Sequence, residues 1–92
     1  MATVHLPSSL ALVVPELPKI ATVEGSTVAE VVAALDERWP GVGDRVLDAG
    51  PTIRRHINVF VDGEPAALDT AVGDASVVHV IPAVAGGAGE RS

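Results

Sequence analysis

Apolar and polar residues alternate from Ala2 to Pro7, with Ala2, Val4 and Leu6 set against Thr3 and His5. This is the two-residue period of a half-buried strand. A second strand is expected from Lys19 to Val23, ended by Glu24-Gly25. Between them, Ser8 to Pro18 reads as a loop carrying two prolines, its Leu10, Leu12, Val13 and Val14 packing over an edge of the core. From Thr27 onward the period changes. Val28, Val31, Val32, Leu35 and Trp39 recur at helical spacing and form one apolar stripe, with Glu30, Asp36, Glu37 and Arg38 off it. Thr27-Val28-Ala29-Glu30 has the form of a capping box: the Thr27 hydroxyl can accept from the Glu30 N–H while the Glu30 carboxylate reaches back. Pro40-Gly41 stops the helix.

Gly41 to Gly50 leaves room for a turn or two of irregular helix, with Val42, Val46 and Leu47 as packing points. His56 to Asp62 is expected as a strand, Ile57, Val59 and Val61 on one face, Asn58 and Phe60 on the other. Asp62-Gly63 is a strong turn signal. Leu68-Asp69-Thr70 reads as a connector or short strand, Val72-Gly73-Asp74 as another turn, and Ser76 to Ile81 as the last strand, closed by Pro82. The order is strand, strand, helix, strand, short element, strand. One helix on one face of a small mixed sheet buries these patterns. Because the hairpin precedes the helix, the first and last strands can lie side by side in parallel. The expected class is α+β, in the β-grasp or ubiquitin-like arrangement, over residues 1–82. Residues 83–92 have neither period nor bulk and read as a flexible tail.

Composition narrows the function. The 92 residues suit one small domain, with little room for a deep catalytic cleft beside its core. Sixteen valines and fourteen alanines dominate, and Trp39 and Phe60 are the whole aromatic complement. A net charge of −6 argues against nucleic acid and anionic membranes, which require basic patches. The longest apolar run, Leu10 to Val14, falls far short of the ~20 residues of a membrane helix. With no targeting signal and no cysteine, a soluble cytoplasmic protein is expected. The spacing of His5, His56 and His79 is not that of a zinc site, so no metal is expected. Arg54-Arg55 reads as a solvated turn, the scattered acids form no catalytic pair, and no nucleotide-binding glycine pattern follows a strand. The chain reads as a carrier or binding domain, not an enzyme.

Two features carry chemistry. Gly86-Gly87 follows the last strand by a few residues, where a backbone without Cβ atoms can enter a narrow slot in a partner. The reacting group would be a main-chain carboxyl on Gly87, with Gly86 and Ala85 threading the slot; the competing reading is an inert tail. The second feature is Phe60, a large aromatic on the open face of the sheet, with His79 and Ile81 on the matching side of the last strand. Together they read as a docking patch. The competing reading is that the Ser8–Pro18 loop covers it.

Gly73-Asp74-Ala75-Ser76 through Pro82-Ala83-Val84-Ala85-Gly86-Gly87 resembles the C-terminal signature of the MoaD/ThiS sulfur-carrier family. In that family a Gly-Asp turn leads into a final strand and a Pro-x-Val-Ala-Gly-Gly ending. The likeness covers residues 2–87 in outline and 73–87 in detail, and is strongest to the CysO-type carriers of actinobacteria. It implies an E1-like activating enzyme of the MoeB/ThiF type, which uses ATP to adenylate the terminal glycine. A thiocarboxylate on Gly87 and an acceptor such as a cysteine synthase would follow. ATP would bind the partner, so no bound cofactor is implied for the carrier itself. One departure is plain: Ala88 to Ser92 extend past Gly87, whereas transfer-active members end there. The resemblance therefore also implies a processing protease, of the JAMM type. The alternatives are a ubiquitin-like modifier joined through Gly87 to lysines, and an interaction module with an inert tail.

Overall fold

The computed structural model describes residues 1–50 and 52–82. The elements are β1 (Ala2–His5), α1 (Ser8–Ala11), β2 (Ile20–Val23), α2 (Val28–Arg38), α3 (Val42–Val46), β3 (Leu47–Asp48), β4 (Thr52–Ile53), β5 (Ile57–Val61), β6 (Glu64–Pro65) and β7 (Val77–Pro82). Five strands form one sheet in the order β2-β1-β7-β5-β6, and β3 and β4 make a separate two-residue hairpin. β1 pairs antiparallel with β2 and parallel with β7, so the first and last strands are adjacent as expected. This is a β-grasp fold.

The alternation read from the sequence is the burial pattern observed. Ala2, Val4 and Leu6, then Ala21 and Val23, Val59 and Val61, and Val78 and Val80 turn inward. They meet Val28, Val31, Val32 and Leu35 from α2. Trp39 is only half-buried, and the Arg38 guanidinium lies over its ring at 4.7 Å from the centroid. A core of valine and alanine suits this pairing, because β-branched side chains fill pleated surfaces without losing further rotamer freedom.

The helix cap forms as expected, with one refinement. Thr27 Oγ1 accepts from the Glu30 N–H at 3.2 Å, while Glu30 Oε1 accepts from Ser26, one residue before the cap, at 2.8 Å. Replacing Thr27 with alanine is expected to cost about 1 kcal/mol, read as a lower urea midpoint with an unchanged slope. Gly25 lies beneath this cap: a Cβ there would stand 2.8 Å from the backbone nitrogen of Val31, so the loop can approach the helix only as glycine.

Three expectations need correction. Ser8–Pro18 is not a plain loop: Ser8–Ala11 forms a helical turn, and the Val14 N–H donates to the Leu10 carbonyl. The turn sends Leu10, Val14 and Leu17 inward, leaving Leu12 86% and Val13 48% exposed. Leu12 and Val13 therefore do not pack over the core. After the Asp62-Gly63 turn a short strand, Glu64–Pro65, forms where the sequence suggested none. Of the two readings of residues 68–70 the connector is the one observed, and its carbonyls have a definite task. Leu68 accepts from the Ala29 N–H at 2.9 Å and Thr70 from that of Val28 at 3.1 Å, pairing donors that the first turn of α2 leaves free.

Candidate functional site

The strand register assembles one continuous row across all five strands of the sheet. Ile20 pairs with His5, His5 with His79, His79 with Phe60, and Phe60 with Pro65. Because side chains alternate along a strand, every member of the row faces away from α2. Asn58 and Ile81 pair in the neighbouring row on the same face. Phe60, His79 and Ile81, singled out from the sequence, therefore do lie together.

The exposure of this face is uneven. Ile20 is 55% and Ile81 43% exposed, while His5, His79 and Phe60 are half-buried by one another. The His5 and His79 rings stack, with centroids 4.5 Å apart and planes 15° from parallel. The segment from Ser8 to Pro18 does not cover the patch. Its buried residues join the core on the helix side, where Val14 comes close to Gly41 and Val13 borders a groove with Gly41, Asp44, Arg45 and Arg54. A half-buried aromatic diagonal to the exposed Ile81, at the other end of a row from the exposed Ile20 and with no strap across it among the described residues, is a surface suited to a protein partner.

His5 and Ile20 belong to this patch and were not singled out from the sequence. The signal was present, since His5 shares its parity with Thr3 on the polar side of β1. The expected parallel pairing of the first and last strands already puts His5 on the strand beside His79, and the observed register makes the two direct partners.

The reactive feature expected from the sequence follows β7 in the chain. Pro82 pairs with Ile57 and closes the sheet on that side. Ala85, Gly86 and Gly87 lie outside the described residues, as do Ala88 to Ser92.

The remaining ionisable groups do not converge. Arg54 is held by Asp48 at 2.9 Å and donates to the Asp44 carbonyl at 2.9 Å, so it braces the α3–β4 region. Asp36 accepts from the N–H groups of Gly41 and Gly43, at 3.0 and 2.9 Å, and ties α2 to α3. Among the described residues, no three of His, Cys, Asp or Glu come together as metal ligands. A groove of about 440 Å³ beside β4 is lined by Thr52, Ile53, Ala66, Ala67, Leu68 and Asp69, and Asp69 is its sole ionisable side chain. No helix among the described residues is long and apolar enough to cross a membrane.

Comparison with known proteins gives a consistent set of relatives. The model of the ThiS family matches residues 13–87. Sulfur carrier protein CysO of Mycobacterium tuberculosis is 31% identical over 75 residues, which cover 75% of this chain and 81% of that protein. Small archaeal modifier protein 3 of Haloferax volcanii is 35% identical over 68 residues, covering 70% and 73%. Among solved structures, a chain of the Amycolatopsis orientalis BexX/CysO complex superposes with a TM-score of 0.85 at 30% identity. The match covers 95% of this chain and all of that one.

Proposed function

This chain belongs to the ThiS family, and from that premise we propose that it is a sulfur carrier working through a thiocarboxylate on Gly87. The observation that carries the reading is where the family match stops: its last residue is Gly87, the second glycine of the pair. The likeness to CysO at 31% identity supports the same chemistry.

A carboxylate is a poor electrophile, because a nucleophile attacking it must expel oxide. An E1-like enzyme removes that obstacle with ATP. The Gly87 carboxylate attacks the α-phosphorus, pyrophosphate leaves, and the glycyl carbon becomes an acyl adenylate. A sulfur nucleophile then attacks that carbon and AMP departs, leaving sulfur on the chain terminus as a thiocarboxylate. The sulfur passes to an acceptor such as a cysteine synthase. Ala88 to Ser92 must first be removed, by a protease such as one of the JAMM type, to free the carboxyl. The carrier supplies a terminus and a docking face; ATP binding and bond making belong to its partners.

The face that docks the activating enzyme is the row through Phe60, with His79 and Ile81. Phe60→Ala is expected to weaken binding to that enzyme about tenfold or more while leaving the circular dichroism spectrum unchanged. An unaltered affinity would remove Phe60 from the interface.

A second reading is favoured by one finding, the 35% identity to an archaeal modifier protein. There the same adenylate would be captured by a lysine amine, giving an isopeptide at Gly87. One experiment separates the two. The chain ending at Gly87 is incubated with activating enzyme, ATP and sulfide, and its intact mass is taken. Exchange of one oxygen for sulfur supports the carrier. An unchanged mass, with Gly87 isopeptides in a digest of host proteins, supports the modifier instead.

A further inference from the structure

The five-stranded sheet ends in two edges, β2 on one side and β6 on the other. A sheet edge presents backbone N–H and C=O groups to any strand that can align with them. The β6 edge is blunted by its own sequence. It is two residues long, and Pro65 has no N–H. The register turns that missing donor outward: the Ala66 N–H donates to the Val59 carbonyl at 2.8 Å, so its neighbour Pro65 directs its backbone groups away from β5.

The β2 edge is closed differently. The Leu6 N–H donates to the Lys19 carbonyl at 2.8 Å, so in the antiparallel ladder Lys19, Ala21 and Val23 bond towards β1. Ile20 and Thr22 alternate with them and direct their N–H and C=O groups outward. One of these four groups is taken. Arg38, from the last turn of α2, donates from Nη1 to the Thr22 carbonyl at 3.1 Å. The same guanidinium lies over the Trp39 ring, 4.7 Å from its centroid, which steadies it at the edge. A fixed cation thus stands where an incoming strand must bring an N–H.

The strand behind this latch is complementary to itself. When two β2 strands pair antiparallel about a two-fold axis at Ala21, Ile20 of each copy faces Thr22 of the other. That register pairs all four outward groups of each strand, as an isologous contact requires. It also sets the Lys19 end of each strand against the Glu24 end of the other, so cation adjoins carboxylate at both ends. Lys19 and Glu24 are exposed, and among the described residues neither is in an ion pair. With Arg38 in place the pairing is opposed twice. The Thr22 carbonyl is already occupied, and the axis brings two guanidinium groups into one seam. We propose that the outer edge of β2 is a self-pairing strand whose partner is a second copy of this chain, and that Arg38 is the latch that keeps the copies apart.

The test is sedimentation equilibrium of the full chain, wild type and Arg38→Met, at concentrations up to about 1 mM, the range of weak self-association. Arg38→Met keeps an apolar stem against Trp39 and removes the guanidinium. The variant is expected to dimerise about tenfold or more tightly than the wild type, the weight of one charge-assisted hydrogen bond. In its dimer the Ile20 and Thr22 amides are expected to gain protection from hydrogen exchange. Adding Thr22→Pro is expected to abolish the gain. That change removes an outward donor and spares the bonds to β1, as Pro65 does at the opposite edge. An Arg38→Met chain that stays monomeric throughout overturns the proposal. So does a dimer that leaves those amides unprotected or survives Thr22→Pro, because the contact then lies elsewhere. Should Arg38→Met not fold, Arg38→Ala carries the same expectations, and the same outcomes overturn it.

Discussion

A chain ending at Gly87 is expected to accept sulfur, and the same chain ending at Ser92 is expected to accept none. The difference is covalent. With Ala88 attached, the Gly87 carbonyl is an amide with no anionic oxygen to attack ATP, so neither adenylate nor thiocarboxylate can form there. The carboxylate of Ser92 is not a substitute, because the residues behind it are Arg91 and Glu90, whose side chains a slot shaped for Gly-Gly would exclude. The loss is total, not graded. It is read by ATP–pyrophosphate exchange and by intact mass after incubation with the activating enzyme and sulfide. Equal exchange from both forms would locate the chemistry elsewhere. The same assay disposes of the inert tail: deleting everything after Ala85 should abolish activity if the glycines act, and leave function intact if they do not.

How much of this was legible in the sequence depended on the length of each pattern. The stripe from Val28 to Leu35 spans two helical turns and the alternation in β5 spans five residues, so both constrained the fold without tertiary information. Thr27 and Glu30 declared the helix start because a capping box is local chemistry. The two-residue strands β3 and β4 are too short to show any period, and the sequence reading did not foresee them. In Ser8–Pro18 the prolines suggested a loop, yet one turn of helix ahead of them decides which of five apolar residues are buried. That choice turns on where α1 begins. The docking patch was half legible for a related reason. Phe60, His79 and Ile81 follow from parity within strands, whereas His5 and Ile20 join through long-range register.

The absence of cysteine takes on a meaning that composition by itself did not supply. In the proposed chemistry sulfur rides on the main chain, and a thiol on the carrier would compete to attack its own adenylate. The poverty of aromatics is likewise consistent with a division of labour: Trp39 closes the helix end and Phe60 stands on the proposed docking face. Neither belongs to the set of fully buried core side chains.

Leu35→Ala is expected to be among the most destabilising single changes in the folded domain. Among the described residues Leu35 is the largest fully buried side chain, in a core otherwise built mainly of valine with Leu6, Leu10 and Leu17 at its margin. It sits one turn before the end of α2, and its carbonyl accepts from the Trp39 N–H at 2.8 Å. Valines around the site are stiff at χ1 and cannot swing in to fill the space, so the cavity should persist. A loss of about 3 kcal/mol is expected, within the range for buried leucine truncations. Set against a total of roughly 5–10 kcal/mol for a chain of this size, that removes a large share of the stability. The melting temperature should fall by ~12–20 °C, measured by circular dichroism. Leu35→Met, which keeps the volume, should cost less than about 1.5 kcal/mol. Equal costs for the two variants would mean that the space around Leu35 collapses freely, and the packing argument for this core would fail.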